Sequence, residues 1–479
     1  MFRCQYAPRN IPKGVFLLPL TVLLIVVLLP FIRNLNHWSS KIYASSLEAK
    51  ETRICNLFSG NWTPYPKEPY YSTETCPFRT DKQNCFMNGR PDREFLKWRW
   101  KPFQCELPPF DASQFLKLVM GKSMAFVGDS IGRNQAESLL CLINSVAHPK
   151  DITTKYTTKN DTFFRWWFSA DYNFTVTMLW SPFLVKFIDA DVNASSFYRA
   201  TKLYLDEADR AWASKIENFD YVIFSTGQWF FRPLTFYENG EVVGCQRCEK
   251  NMTELNLYGY RRAFRTALRT VRNLKGFKGL ALLVTHSPDH FENGMWNECG
   301  ACDRTKPFTM EERQVYKNGD LLETLHQIQV EEFEAAEKEE GRGKGLQFGL
   351  LDITDPMAMR PDGHPGRYGK VVDKNVTIND CVHWCMPGPV DTLNEFLLYT
   401  IKLQAENGLL CLLGIGSSSV LCSYSTFRSL EMQLFNNDMS FFFFMSFHQL
   451  PHEALNSIPL NITFYLQLNT LSHQYYPVE

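Results

Sequence analysis

The stretch SMAFVGDSIGRNQAESLLCLI, residues 123–143, decides how this chain is read. Its first six residues, Ser123–Gly128, form a short apolar run of the kind that makes a strand buried on both faces. The apolar residues that follow recur at helical spacing, which predicts a helix over Asn134–Asn144. Between the two stands Gly128-Asp129-Ser130. A serine at a strand-to-helix turn points its hydroxyl out of the sheet edge. The helix start behind it offers free backbone N–H groups and positive potential, which can stabilise an oxyanion. The same three residues also suit a plain helix N-cap, and the local pattern leaves both readings open.

Working outward, further strands are expected at Tyr221–Ser225, Leu280–Thr285 and Phe348–Asp352. Helices are expected at Tyr198–Ile216, Tyr258–Leu274, Glu311–Glu340 and Val390–Ala405. Strands spaced by helices predict an α/β domain with a largely parallel sheet. Ligands in such sheets bind at the carboxyl ends of the strands. Those ends are Asp129–Ser130, Thr226–Trp229 and His286–His290.

A serine nucleophile needs a base, and the base needs an orienting group. Asp380-Cys381-Val382-His383 places an acid and an imidazole three residues apart, within reach of one face of a turn. His286 and His290 are rival bases because they also follow a strand. Asp362-Gly363-His364-Pro365 reads as a turn.

The ends of the chain have another character. Val15–Ile32 is an uncharged apolar stretch of 18 residues, preceded by Arg3, Arg9 and Lys13 and followed by Arg33. That length is about the minimum for a bilayer span, and the charge bias predicts a cytosolic N-terminus. Pro30-Phe31-Ile32-Arg33 is a poor signal-peptide cleavage site, so an uncleaved anchor at 15–32 is expected, with residues 1–14 as a cytosolic tail. The rest would face a lumen. Sequons at Asn61, Asn160, Asn173, Asn193, Asn251, Asn375 and Asn461 agree with glycosylation there. Residues 33–54 read as a polar stem. Residues 55–108, rich in Cys, Pro, Trp and Tyr, read as a disulfide-stapled, loop-rich segment.

Hydrophobic residues make up 45% and charged residues 21%, which excludes wholesale disorder. A net charge of −1 offers no basic field for a polyanion and excludes a dedicated nucleic-acid binder. Cys245-Gln246-Arg247-Cys248 and Cys299-Gly300-Ala301-Cys302 have zinc-like pairs, but their separation is long for a zinc ribbon and a lumen favours disulfides. No metal is therefore expected.

VGDSIGRNQAESLLCLI, followed much later by DCVHWCMPGPVDTLNEFLL, resembles the plant trichome-birefringence-like family of polysaccharide O-acetyltransferases, relatives of the GDSL/SGNH esterases. CNLFSGNWTPYP with the downstream NCFMNGRPDREFLKWRWKPFQCELPPFD resembles that family's Cys-rich N-terminal region. GQWFFRPLTFYENGEVVGCQRC is similar to the subgroup that acetylates xyloglucan side chains.

The resemblance implies a three-layer GDSL/SGNH-like fold over residues 109–405. It implies Ser130 as nucleophile, His383 as general base and Asp380 as its orienting partner. Arg133 would line the oxyanion pocket, with Asn134 beside it and Gly227 in the pocket wall. Trp229, Phe230 and Trp296 are candidates for stacking on sugar faces or for the core. Disulfides Cys55–Cys105, Cys76–Cys141, Cys85–Cys385 and Cys302–Cys381 are implied, with Cys245 or Cys248 a candidate partner for Cys299.

The implied setting is the Golgi membrane. The acceptor would be xyloglucan or a related hemicellulose. The acetyl donor would be acetyl-CoA or an acetylated intermediate, an acetyl-supplying membrane protein is a candidate partner, and no tightly bound cofactor is expected. A polysaccharide acetyl esterase of the same fold and a non-catalytic wall-polysaccharide binder are the competing functions. Relatives usually stop near residue 405, so residues 406–479 are expected to be an atypical, poorly ordered tail.

Overall fold

A computed structural model describes residues 55–157, 163–189, 201–248, 252–315, 319–339, 346–369 and 379–412. The apolar stretch Val15–Ile32, the stem, the tail beyond 412 and five of the sequons (Asn160, Asn193, Asn251, Asn375, Asn461) lie outside those residues. Among the described residues, no helix is long and apolar enough to cross a membrane.

The described residues form thirteen strands: β1 Gly60–Pro64, β2 Trp98–Pro102, β3 Ser123–Gly128, β4 Lys150–Asp151, β5 Arg165–Ser169, β6 Phe174–Trp180, β7 Val185–Asp189, β8 Thr201–Ala208, β9 Tyr221–Ser225, β10 Leu234–Glu238, β11 Glu241–Gln246, β12 Leu280–Val284 and β13 Gln347–Leu351. The helices are α1 Ala112–Leu118, α2 Ser130–Ala147, α3 Arg210–Ala213, α4 Tyr258–Asn273, α5 Met310–Val315, α6 Gly319–Lys338, α7 Thr354–Ala358 and α8 Val390–Leu412.

The main sheet has the order β13-β12-β9-β3-β6-β5-β4. It is parallel from β13 through β6, and β5 and β4 close one edge antiparallel. Alternation along its strands builds two cores. Met124, Phe126, Ile223 and Leu282 face one, which α2 and α8 cover. Ala125, Val127, Val222, Phe224 and Leu283 face the other, which α4 and α6 cover. The result is three layers, helix–sheet–helix. Each buried large apolar side chain contributes about 1.5–3 kcal/mol.

Three expected helices differ from the structure. The part of Tyr198–Ile216 that is described is mostly strand β8, followed by the single helical turn α3. Its residues favour a helix by composition, yet burial alternates with period two from Thr201 to Leu205. Pairing with β7 and β10 in a second sheet, of order β11-β10-β8-β7, overrides the local preference. Glu311–Glu340 divides into α5 and α6. The final helix runs on to Leu412 rather than ending at Ala405.

The Cys-rich segment folds around the antiparallel β1–β2 ribbon, and its side chains reach deep into the α/β domain. Trp62 donates its ring N–H to the Pro356 carbonyl at 2.8 Å. The Tyr71 hydroxyl donates to Asp391 at 2.7 Å, where the Ser138 hydroxyl also arrives at 2.6 Å. Arg360 Nη2 donates to the Phe95 carbonyl at 2.6 Å while its Nε pairs with the buried Asp362 at 2.8 Å. Disulfides join Cys55–Cys105, Cys76–Cys141, Cys85–Cys385 and Cys302–Cys381. Cys245 pairs with Cys248, so neither is the partner of Cys299, which is a free, exposed thiol.

Candidate active site

The serine end of the candidate site is fixed by backbone. β3 runs beside β9, and Gly128 passes so close to it that an added Cβ would lie 1.8 Å from the Ser225 carbonyl oxygen. Only glycine fits there. The next residue, Asp129, is fully buried and caps α2, its Oδ1 accepting from the Ile131 N–H at 2.9 Å. Its Oδ2 accepts from the Thr226 hydroxyl at 3.0 Å and the Gly227 N–H at 3.1 Å. Asp129 is thus the cap, and it also ties β9's terminal turn to α2. Burial pushes its carboxyl up, against the pull of these donors. Ser130, the first residue of α2, is left half-exposed.

The histidine end is a loop. His383 Nε2 lies 2.7 Å from Ser130 Oγ. On the other side of the ring, Nδ1 lies 2.8 Å and 3.0 Å from the two carboxylate oxygens of Asp380. Asp380 also accepts the backbone N–H of His383 at 3.0 Å and of Val382 at 3.2 Å, which closes the turn that sets the two side chains together. Burial disfavours the imidazolium, but the Asp380 charge and hydrogen bond outweigh it and raise the His383 pKa above its ordinary value. Burial likewise opposes ionisation of Asp380, yet His383 and the two N–H groups hold it well below the usual carboxylate range. A raised imidazole beside a lowered carboxyl suits this pair to carry a proton as carboxylate and imidazolium.

The other expected site residues fall nearby in different settings. The Arg133 guanidinium lies over the Trp180 ring, 5.6 Å from its centre, on the turn of α2 that starts with Ser130. Asn134 is fully buried, and its Oδ1 accepts the Trp384 N–H at 2.8 Å, which ties α2 to the base loop. Gly227 stands against His286, where a Cβ would come within 2.4 Å of Nδ1. Trp229 is half-buried under Arg232, whose guanidinium sits 3.7 Å from the ring centre. Phe230 is buried in the core and is not available to a sugar, and Trp296 is half-buried.

The rival histidines do not reach Ser130. His286 is buried, with its backbone N–H on Gln329 at 2.6 Å. His290 is engaged with His364 at 2.7 Å. Sequence spacing gave no sign of His364 or Trp384 as parts of this site, whereas Ser287 lies within the expected strand end His286–His290. The Trp384 ring N–H donates to the Ser287 hydroxyl at 3.0 Å. The one available signal was a histidine and a tryptophan next to loop residues already singled out.

A mainly parallel α/β sheet with a hydroxyl at a strand end, in line with an imidazole and a carboxylate from a loop, has the architecture of serine esterases and acyltransferases. Residues 107–400 match the GDSL/SGNH-like acyl-esterase family found in Pmr5 and Cas1p, and residues 53–106 match the PMR5 N-terminal domain. The chain belongs to this family. It is similar to protein trichome birefringence-like 19 of Arabidopsis thaliana, 47% identical over 361 residues, covering 74% of this chain and 83% of that protein. Xyloglucan O-acetyltransferase 4 of Populus trichocarpa is 43% identical over 358 residues, covering 74% and 82%. Xyloglucan O-acetyltransferase 1 of Arabidopsis thaliana is 40% identical over 357 residues, covering 73% and 80%.

Proposed function

We propose that this chain is a polysaccharide O-acetyltransferase that moves acetyl groups onto xyloglucan or a related hemicellulose through an acetyl-Ser130 intermediate. The observation that carries the chemistry is the continuous line Ser130 Oγ–His383–Asp380, with contacts of 2.7 Å and 2.8 Å. The relatives named xyloglucan O-acetyltransferase support the acceptor.

His383 Nε2 takes the Ser130 proton as Oγ attacks the acetyl carbonyl of the donor. Asp380 keeps the ring oriented and balances its charge. The oxyanion forms beside the N-terminus of α2, where backbone N–H groups and Arg133 stabilise it. The Gly227 N–H is already bonded to Asp129 at 3.1 Å, so Gly227 serves as pocket wall. The tetrahedral adduct collapses, and His383 returns the proton to the departing group. A sugar hydroxyl then gives its proton to His383 and attacks the acetyl carbon. Ser130 leaves and recovers the proton.

The same reading includes anchorage by Val15–Ile32 in the Golgi membrane, a lumenal catalytic domain, and acetyl-CoA or an acetylated intermediate as donor. Incubation of the disulfide-intact protein with an acetyl donor, with and without xyloglucan oligosaccharide, tests it. Mass spectrometry should show an acetylated oligosaccharide and an acetyl group trapped on Ser130. Free acetate as the sole product would make the chain an esterase. Full output from Ser130→Ala would make it a binding protein.

A further inference from the structure

Behind the Ser130–His383–Asp380 line lie two histidines that the chemistry above leaves unused. His290 and His364 are each 1% exposed. His364 Nδ1 lies 2.7 Å from the carbonyl oxygen of His383. A carbonyl only accepts, so this contact needs a hydrogen on Nδ1. His364 Nε2 meets His290 Nδ1 at 2.7 Å, and His290 Nε2 meets the Ala358 carbonyl at 2.9 Å. The His364 ring stacks on Trp384 with centres 4.1 Å apart and planes 23° from parallel. The backbone N–H of His290 donates to the Cys381 carbonyl at 3.0 Å. The pair therefore grips the two carbonyls that flank Val382, inside the turn that carries the base.

We propose that His364 is a positioning residue for acetyl transfer: its Nδ1–H fixes the main chain of His383, and with it the imidazole over Ser130, while His290 selects the tautomer that makes this bond. The proposal rests on the Ser130–His383–Asp380 mechanism above.

Hydrogen counting shows why the tautomer matters. Carbonyls at both ends and an N···N contact between them call for three hydrogens, one more than two neutral imidazoles carry. Burial depresses the pKa of both rings, that of His290 to about 4, and so favours their neutral forms. A neutral His364 holds the His383 carbonyl only as the Nδ1–H form, with Nε2 as acceptor. In the opposite tautomer a lone pair faces the carbonyl and the grip is lost. A neutral His290 has one hydrogen for its two contacts; carried on Nδ1, at the expense of the Ala358 bond, it imposes the productive form on His364.

The test compares His364→Asn with His364→Gln in the full-length protein, with Ser130→Ala alongside. An asparagine amide N–H falls near the Nδ1 position, whereas a glutamine amide falls near Nε2 and loses the bond to His383. At matched thermal stability, His364→Gln should lower kcat for oligosaccharide acetylation by about 10- to 100-fold with KM unchanged, and His364→Asn should restore it to within about threefold of wild type. Equal kcat for the two variants, or a loss confined to KM, overturns the proposal. Should His364→Gln not fold, ring 15N shifts of the wild-type protein decide the matter. A protonated Nδ1 with bare Nε2 on His364 supports the proposal, and the reverse tautomer sinks it. Wild-type transfer by Ser130→Ala would instead sink the serine mechanism itself.

Discussion

The two sides of the candidate site are built by opposite means. Ser130 is held by regular structure: a buried parallel strand, a glycine pressed against its neighbour, and the first turn of an 18-residue helix. The described part of the region that delivers Asp380 and His383, from β13 to α8, contains only the five-residue α7 and a three-residue turn. Its position comes from side-chain links to distant sequence. Cys85 and Cys302 bind it covalently at Cys385 and Cys381. Arg90 donates to the carbonyls of His364 and Asp362 at 2.8 Å and 2.7 Å, and the Met386 N–H reaches the Gln83 carbonyl at 3.0 Å. A sheet places an atom through many small, redundant backbone bonds. A tethered loop places it through a few large ones, so each tether should matter separately.

The largest effect tests whether the two sides act as one unit. Ser130→Ala and His383→Ala should each lower kcat by at least about 10³-fold, and the double variant should be no worse than either alone. Multiplying losses in initial-rate assays would mean that the sides work independently. On the loop side, Arg360→Leu leaves the buried Asp362 carboxylate unpaired and should cost about 3–5 kcal/mol in denaturant unfolding.

Removing the Cys85–Cys385 bond by paired serine substitutions should cost about 2–5 kcal/mol and also lower kcat, because the bond ends two residues from His383. Removing Cys55–Cys105 should cost stability while kcat stays near wild type. An equal kcat loss from both would erase the distinction between tether and scaffold.

The pH dependence offers a finer test. Under the proposed mechanism His383 acts in its neutral form, so its raised pKa should put the acid limb of kcat/KM above the ordinary histidine value of 6.5. Asp380→Asn removes the charge that raises it, so the surviving activity should have its acid limb at lower pH.

The smallest effect concerns Glu395, where burial pushes the carboxyl up to about 7 against the pull of Arg99 and Tyr70. It holds a proton in the folded chain that the unfolded chain releases from about pH 4.5 upward. Stability should therefore fall as pH rises from about 4.5 to 7. Glu395→Gln should flatten that slope by on the order of 2 kcal/mol, measured as unfolding free energy at the two ends of the window.

The same division decides what the sequence discloses. β3, β9 and β12 are legible because strands buried on both faces must be continuously apolar, and the edge strand β13 still shows the short apolar run FGLL. β6 is equally central, but the polar residues in FTVTMLW hid it. β8 was misread because pairing outranked composition. Asp129-Ser130 and Asp380-His383 stand out as short local patterns. Their meeting across 253 residues is a property of the fold, and no local period reports it. Asn134 illustrates the limit. Its place beside Ser130 suggests the pocket, while its carbonyl is turned inward to hold Trp384. His364 lies in a turn whose residues carry no periodic signal, so its bond to His383 becomes visible only in three dimensions.

The Cys85–Cys385 link spans 300 residues. During synthesis Cys85 emerges long before its mate, while the partners of Cys55 and Cys76 follow only 50 and 65 residues behind them. The native tether to His383 is thus completed only after nearly all the α/β domain has been made. Premature closure of Cys85 onto any earlier thiol would leave a sound sheet with a misplaced base. Within the proposed mechanism, correct closure of this bond should limit the yield of active protein as much as chain collapse does, and a more reducing environment during maturation should lower that yield.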